Sequence, residues 1–323
     1  MSSSARRALV LGGTGAMGGA TAAHMARAGW SVDVTGRDPG GMPAELTDLG
    51  VRFHAIDRHD VRGVERVVGD GVDLLVDLVA FTAADVHALL PAMRAAGSVV
   101  VASSRAVYVD AEGRHVNGDA PPRLPVPVPE SNPTLPPAGP GVDPATREGY
   151  APSKAAVERA ALDSGLPVTV IRPSKVHGRW ARDARTRGIV ERMTAGAATL
   201  DLADRGASVD HLTAAANAAA LIARVADVPG ARILNAADPD PLTAREIVAV
   251  IADELGWRGR VRLLEPGAEG GGHPWRAAHP FVLDMRAALA LGYVPAGTGA
   301  RLLRDEVAWI RDGSRRASGS IGS

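Results

Sequence analysis

Apolar positions fall into short blocks separated by stretches of helical period. Segments 8–11, 31–35, 51–56, 72–79 and 97–103 read as strands, and 72–79 is rich in Val and Leu, as a strand covered on both faces should be. Helices are predicted over 20–28 and 83–96. Strand and helix in alternation predict an α/β fold with a parallel, doubly wound sheet. From 110 to 147 that rhythm stops, and proline and glycine recur without periodicity. A loop this long in a compact domain is functional or disordered. Its place between two chemically suggestive segments favours a cover over the site, with a solvated excursion as the other reading. Regular structure resumes at Tyr150: helix over 153–164, strand over 167–172, helix over 189–193, an Ala-rich helix over 211–226 and a strand over 232–235. Thr243-Ala-Arg-Glu246 is a capping box opening a helix to 255, which Gly256 stops. A strand over 261–264, a flexible stretch over 267–272, and helices over 284–291 and 301–311 follow, with a polar, disordered tail from 314. No solenoid-like repeat is present.

The chain is organised around Gly12-Gly-Thr-Gly-Ala-Met-Gly18, which lies between the first strand and the first helix. Its glycines at 12, 15 and 18 suit a tight turn that lets backbone approach a pyrophosphate and aims a helix N-terminus at the negative charge. A purely structural glycine-rich turn is the alternative.

Composition narrows the partners. Lys plus Arg equals Asp plus Glu at 36 each, so no global basic field favours nucleic acid or an anionic membrane. Aromatics make up only 3%, too few for base-stacking platforms. There is no cysteine, which excludes disulfides, thiolate chemistry and cysteine-bound zinc. His54 and His59 lack metal-ligand spacing, and no metal is assigned. Ser4-Ala-Arg-Arg-Ala-Leu-Val10 superficially resembles a twin-arginine export signal, but the glycines that follow break any apolar signal region. With no apolar run of membrane-spanning length, a cytoplasmic location is expected.

Tyr150-Ala-Pro-Ser-Lys154 places a phenol and an ammonium four residues apart on one helix face. A neighbouring ammonium favours the phenolate, which would let Tyr150 exchange protons with an alcohol or ketone nearer neutrality. A surface Tyr and Lys is the bland reading. The strand 97–103 leads into Ser103 and Ser104 at the carboxyl end of the sheet, where ligands bind and a hydroxyl can hold a substrate oxygen. His177 follows the Arg172-Pro173 strand and is either structural or faces the pocket. Arg179, Arg182, Arg185 and Arg187 form a basic cluster, read as a solvated face ahead of an anion contact.

From about 7 to 311 the sequence resembles the extended short-chain dehydrogenase/reductase superfamily, the NAD-dependent epimerase/dehydratase-like proteins. The likeness rests on Gly12–Gly18, Ser103-Ser-Arg-Ala-Val-Tyr108, Glu130, Tyr150-Ala-Pro-Ser-Lys154, Ile171-Arg-Pro173, Asn235-Ala-Ala-Asp-Pro239 and Leu242-Thr-Ala-Arg-Glu-Ile247. It implies a Rossmann-type domain over 1–174, to which 208–236 returns. A smaller substrate-binding lobe would come from 175–207 and 237–313, with 314–323 as the tail. It implies catalytic Ser104, Tyr150 and Lys154, with Lys154 on the nicotinamide ribose. The cofactor contacts expected are Gly12, Thr14, Gly15, Ala16, Met17, Gly18, Arg37, Asp57, Ala80, Tyr150, Lys154 and Pro173. A homodimer through two long helices is usual in this superfamily.

Departures from the family pattern sharpen the expectation. The 4,6-dehydratases carry Asp-Glu after the catalytic hydroxyl, where this chain has Arg105 and Ala106. Related decarboxylases carry Glu at the Ala106 position, and many epimerases carry Asn where Lys175 stands. Those differences disfavour dehydration and decarboxylation and speak against a nucleotide-sugar substrate. At the end of the second strand, Gly36-Arg37 replaces the acid that accepts from an NAD ribose. Missing repulsion and a guanidinium both favour a 2′-phosphate, so NADP(H) is expected over NAD(H). The reading is an NADP(H)-dependent oxidoreductase interconverting hydroxyl and keto groups on a small sugar-like or secondary-metabolite substrate. An epimerase with retained nicotinamide is the alternative, and a nucleotide-binding regulatory or RNA-binding protein is a third.

Overall fold

The structure, a computed structural model, describes residues 5–319 of the 323-residue chain. In its first half, β1 (Arg7–Leu11), α1 (Ala16–Arg27), β2 (Ser31–Gly36), α2 (Ala44–Asp48), β3 (Arg52–Ala55), α3 (Val61–Val68), β4 (Val72–Asp77), α4 (Ala83–Arg94) and β5 (Ala96–Ala102) alternate. After the proline-rich segment come α5 (Arg147–Leu162), β6 (Val168–Pro173), β7 (Lys175–His177), α6 (Arg187–Thr194), β8 (Thr199–Leu202) and β9 (Leu212–Ala214). The chain closes with α7 (Ala215–Asp227), β10 (Arg232–Ala236), α8 (Ala244–Leu255), β11 (Arg260–Leu263), α9 (Arg286–Ala290) and α10 (Gly299–Gly319).

Seven strands form one sheet in the order β10-β6-β5-β4-β1-β2-β3, and every pairing within it is parallel. This is the expected Rossmann-type doubly wound sheet. The order reverses between β1 and β4, which opens a crevice above their carboxyl ends. Alternation explains why both faces are covered. Ala8 and Val10 of β1, with Val100 of β5, pack on the α1 and α7 side; Leu9, Leu11, Val99 and Val101 pack on the α3, α4 and α5 side. A further core joins α6, α8 and α10 around Trp275, with Ile247, Val248, Leu303 and Val307 fully buried. Burying each such side chain contributes roughly 1.5–3 kcal/mol. No described helix is long and apolar enough to cross a membrane.

Several boundaries differ from expectation for local reasons. Helix α5 begins at Arg147 rather than 153, because Thr146 accepts from the Gly149 amide at 3.0 Å and caps it. Pro152 sits inside its second turn. The expected helix over 211–226 opens with β9 instead, since Leu212–Ala214 pairs parallel with β7. Strands β7 and β8 and helices α2 and α3 were not expected; the strands have only three or four residues. The tail expected to be disordered from 314 continues α10 to Gly319, and its last four residues lie outside the described ones.

The segment 110–147 is irregular, as expected, yet tied down. The Val128 amide bonds Val282 at 2.7 Å, and the Asp284 amide bonds Val128 at 2.9 Å. Asp110 gathers the amides of Glu112, Arg114 and Arg123. Tyr108, Val128, Phe281 and Leu283 form a small core beneath it.

Candidate active site

The glycine turn shows why those residues stand there. A Cβ on Gly18 would lie 2.2 Å from the Gly12 carbonyl oxygen and 2.7 Å from Gly13 Cα, so α1 sits against the turn with no room for a methyl group. At Gly15, the α1 N-cap, a Cβ would meet only the Gly12 oxygen, at 3.9 Å. The space above Gly15 is therefore open. The amides of Ala16, Met17 and Gly18, which have no carbonyl partner within the helix, bound that space. Arg182 reaches across from the β7–α6 connection and donates to Thr14 Oγ1 at 3.3 Å.

Beside the turn, the end of β2 carries Gly36, where a Cβ would lie 2.9 Å from the Phe53 ring. An acid at that position would have to displace the ring. Arg37 follows, exposed, close enough for its charge to act on Asp57. Asp57 accepts from the His59 amide at 2.9 Å and meets the His59 ring at 3.0 Å; these contacts, with Arg37, hold its carboxyl below the usual range.

The Ser, Tyr and Lys expected to act together line one cleft of about 640 Å³, with Met17 and Pro173 among its walls. The two serines after β5 divide their work. Ser103 donates to buried Glu158, while Ser104 lines the cleft together with Tyr150. Ser104 Oγ accepts from the Ala106 amide at 3.1 Å, which fixes its rotamer. Tyr150 and Lys154 lie one turn apart on α5. Lys154 is 3% exposed; its Nζ donates to the carbonyls of Ala80 at 2.6 Å and Ala102 at 2.8 Å, and lies 4.7 Å from the Phe81 ring centre. Burial pushes Lys154 down to about 8, against the pull of Asp77 and Asp85. The expectation that Lys154 lowers the Tyr150 pKa is corrected here. Burial raises the Tyr150 pKa above its usual 10, and the opposing influences are the Ser104 hydroxyl and the Arg185 charge.

Helix α5 is held in register by a buried network that the sequence reading did not see. Glu158, one turn beyond Lys154, grips Arg172 of β6 through two bonds of 2.8 and 2.6 Å. Arg172 in turn donates to the Glu130 carbonyl at 3.1 Å. Glu130 accepts from the Asn235 amide at 2.8 Å, so it joins β10 to the proline-rich segment rather than facing the cleft.

The outer cleft is cationic. Buried Asp210 is shared by Arg105 and Lys175, the latter at 2.9 Å. Arg185 also lines it and donates to the Val176 carbonyl at 3.1 Å. The four-arginine cluster is largely solvated, as expected, with Arg179, Arg182 and Arg185 exposed, but its side chains diverge. Arg179 pairs with Glu45 at 2.7 Å, Arg182 reaches the glycine turn, and Arg185 faces the cleft. His177 is structural: it is buried, and its Nε2 lies 2.8 Å from Asp238, which raises its pKa despite desolvation. Val116, Asn117 and Leu124 make the proline-rich segment one wall of the cleft.

Comparison with known proteins agrees with this architecture. The family model described as the NAD dependent epimerase/dehydratase family matches residues 8–236. No curated protein sequence matches the chain. Among solved structures, the Bordetella bronchiseptica enzyme WbmH in complex with NAD+ superposes with a TM-score of 0.72 at 17% identity, covering 95% of this chain and 98% of that one. A dTDP-glucose 4,6-dehydratase from Bacillus anthracis in complex with NAD gives 0.70 at 18% identity, over 96% and 98%. A UDP-galactose 4-epimerase gives 0.65 at 18% identity, over 95% and 99%. At such identities the likeness is one of fold. The family match covers most of the chain and includes the glycine turn and the Tyr150–Lys154 helix, so the protein belongs to the NAD dependent epimerase/dehydratase family, enzymes of the extended short-chain dehydrogenase/reductase superfamily.

Proposed function

We propose that the protein is an NADP(H)-dependent oxidoreductase that interconverts a hydroxyl and a keto group on a small substrate, using Ser104, Tyr150 and Lys154. The observation that carries this reading is the convergence of Ser104, Tyr150 and Lys154 on the walls of one cleft, the last two a turn apart on α5. The open space over Gly15, with its bare helix amides, suits a pyrophosphate. A bound nicotinamide supplies or accepts the hydride. Ser104 would hold the substrate oxygen. Tyr150, kept protonated by burial, would donate its proton to a developing alkoxide and take it back in the reverse direction. Lys154 would release its carbonyl partners to bind the ribose hydroxyls. Arg37 would pair with the 2′-phosphate, and Phe53 leaves no space at Gly36 for a competing acid.

Two measurements test this. Purified protein should bind NADPH more tightly than NADH, and Tyr150→Phe should retain NADPH while losing about 10²- to 10⁴-fold in ketone turnover across a panel of cyclic and aliphatic ketones. Wild-type turnover in Tyr150→Phe refutes the assignment. Epimerisation with retained cofactor is the second reading, favoured by the reach of Arg182 over the glycine turn, which would restrain cofactor release. It predicts product formation without net consumption of NADPH.

A further inference from the structure

We propose that the outer half of the cleft is a carboxylate-binding site, formed by Arg185, Lys175 and Arg105, and that the substrate is a small keto or hydroxy acid. This rests on the oxidoreductase reading and specifies its substrate class. Three cations line this part of the cleft, and Asp210 is the acid among the cleft-lining residues. Asp210 is 4% exposed and divided between two of them: one carboxylate oxygen faces Arg105 and the other lies 2.9 Å from Lys175. That trio keeps a net positive charge.

Arg185 adds a second. Among the described residues it makes no ion pair, and its hydrogen bond is to a backbone carbonyl, Val176. The buried acid nearest in influence besides Asp210 is Glu306, which already accepts from the Gly178 amide at 2.9 Å and the Thr186 hydroxyl at 2.8 Å. Arg276, on the opposite lip, is neutralised by Asp204 at 2.6 Å and is left out of the set. Arg185 is exposed at the mouth of the cleft, and its remaining guanidinium donors are open to an arriving anion.

Shape and aromatic surface favour a compact acid over a nucleotide. One end of the same 640 Å³ must also take the nicotinamide, since Met17, Ala102, Lys154 and Pro173 line it. A cleft of this size holds one drug-sized ligand, which leaves space for a small second molecule. The Phe281 ring, on which a base could stack, is already covered by the Arg105 guanidinium, 4.3 Å from its centre. Arg185 shares the cleft with Ser104 and Tyr150, so a carboxylate held on Arg185 would keep its neighbouring carbonyl in the cleft that those two hydroxyls line.

The test is calorimetric titration of malonate, inorganic phosphate and UDP into full-length protein saturated with NADP+. Malonate should bind saturably. Arg185→Gln and Lys175→Met should each weaken it at least about tenfold, the loss of one charged hydrogen bond. NADP+ affinity, titrated separately in each variant, should stay within about twofold, which also reports that the variant is folded. If Lys175→Met loses its fold with its Asp210 contact, Arg185→Gln still decides the matter. Malonate that fails to saturate, or binds both variants as it binds wild type, overturns the proposal. So does phosphate or UDP binding more tightly than malonate. Failure to bind NADP+ overturns the oxidoreductase reading itself, so the two failures are told apart.

Discussion

Adding one methyl group at two neighbouring glycines of the turn should separate folding from cofactor binding. At Gly18 the new Cβ would lie 2.2 Å from the Gly12 oxygen, whereas ordinary contact begins at 3.4 Å. The deficit is about 1.2 Å, and the opposing atoms are backbone, so α1 must retreat from the turn. That helix buries Thr21, Ala22 and Met25 against the sheet and α7. Overpacking of this kind costs about 1–3 kcal/mol, and a backbone-on-backbone overlap belongs at the upper end. Gly18→Ala should therefore lose about 3 kcal/mol in urea unfolding of the cofactor-free protein. Gly15→Ala has no such conflict. Its φ of −87° is open to alanine, and its Cβ would meet a single atom at 3.9 Å. Loss of the better N-cap and the gain from a stiffer unfolded chain nearly cancel, leaving apoprotein stability within about 1 kcal/mol. The methyl group would instead occupy the space proposed for the pyrophosphate, so NADPH affinity, followed by fluorescence, should fall at least about tenfold. Wild-type affinity in Gly15→Ala, or wild-type stability in Gly18→Ala, refutes the argument.

Three further outcomes are expected. Arg37→Ala should weaken NADPH at least about tenfold and leave NADH unchanged, as the loss of one charged hydrogen bond requires; equal loss for both cofactors sinks the 2′-phosphate assignment. Glu158→Ala leaves Arg172 buried without its partner and should cost about 3–5 kcal/mol in urea unfolding, a loss below about 1 kcal/mol being incompatible with the network described. Lys154 titrates at about 8 when folded, against 10.5 as its ordinary value, so between those pH values the unfolded chain holds more protons and stability rises with pH. The stability of wild type minus that of Lys154→Met should accordingly climb by on the order of 3 kcal/mol across that window, and parallel pH profiles would disprove the buried charge.

The parts of the molecule that were legible in the sequence share a physical cause. In β1, β4 and β5 apolar side chains must face both layers, and α5 carries its chemical residues at one-turn spacing. Such constraints act between near neighbours, so a window of ten residues displays them. Tyr150 and Lys154 were legible in this way, as was the capping box at Thr243 and Glu246, both of whose bonds form. The cleft wall was not, because each of its decisive contacts joins residues far apart along the chain. Arg105 meets Asp210, and Ser103 meets Glu158, through pairings that no local period announces. Strands β7 and β9 exist only as partners for each other, and the alanines after Thr213 concealed the second behind a helical composition. The same reasoning explains the arginine cluster. The four arginines within nine residues are mostly solvated, as their spacing suggests, but the backbone turns at Gly178 and Trp180, both at positive φ, and their side chains reach different partners. The charges around the cleft accordingly come from turns and short strands: Arg105 after β5, Lys175 in β7 and Arg185 on the β7–α6 connection. The glycine turn and the Tyr150 helix are written in local pattern, whereas these segments place their charges through pairings across the chain that no short window displays.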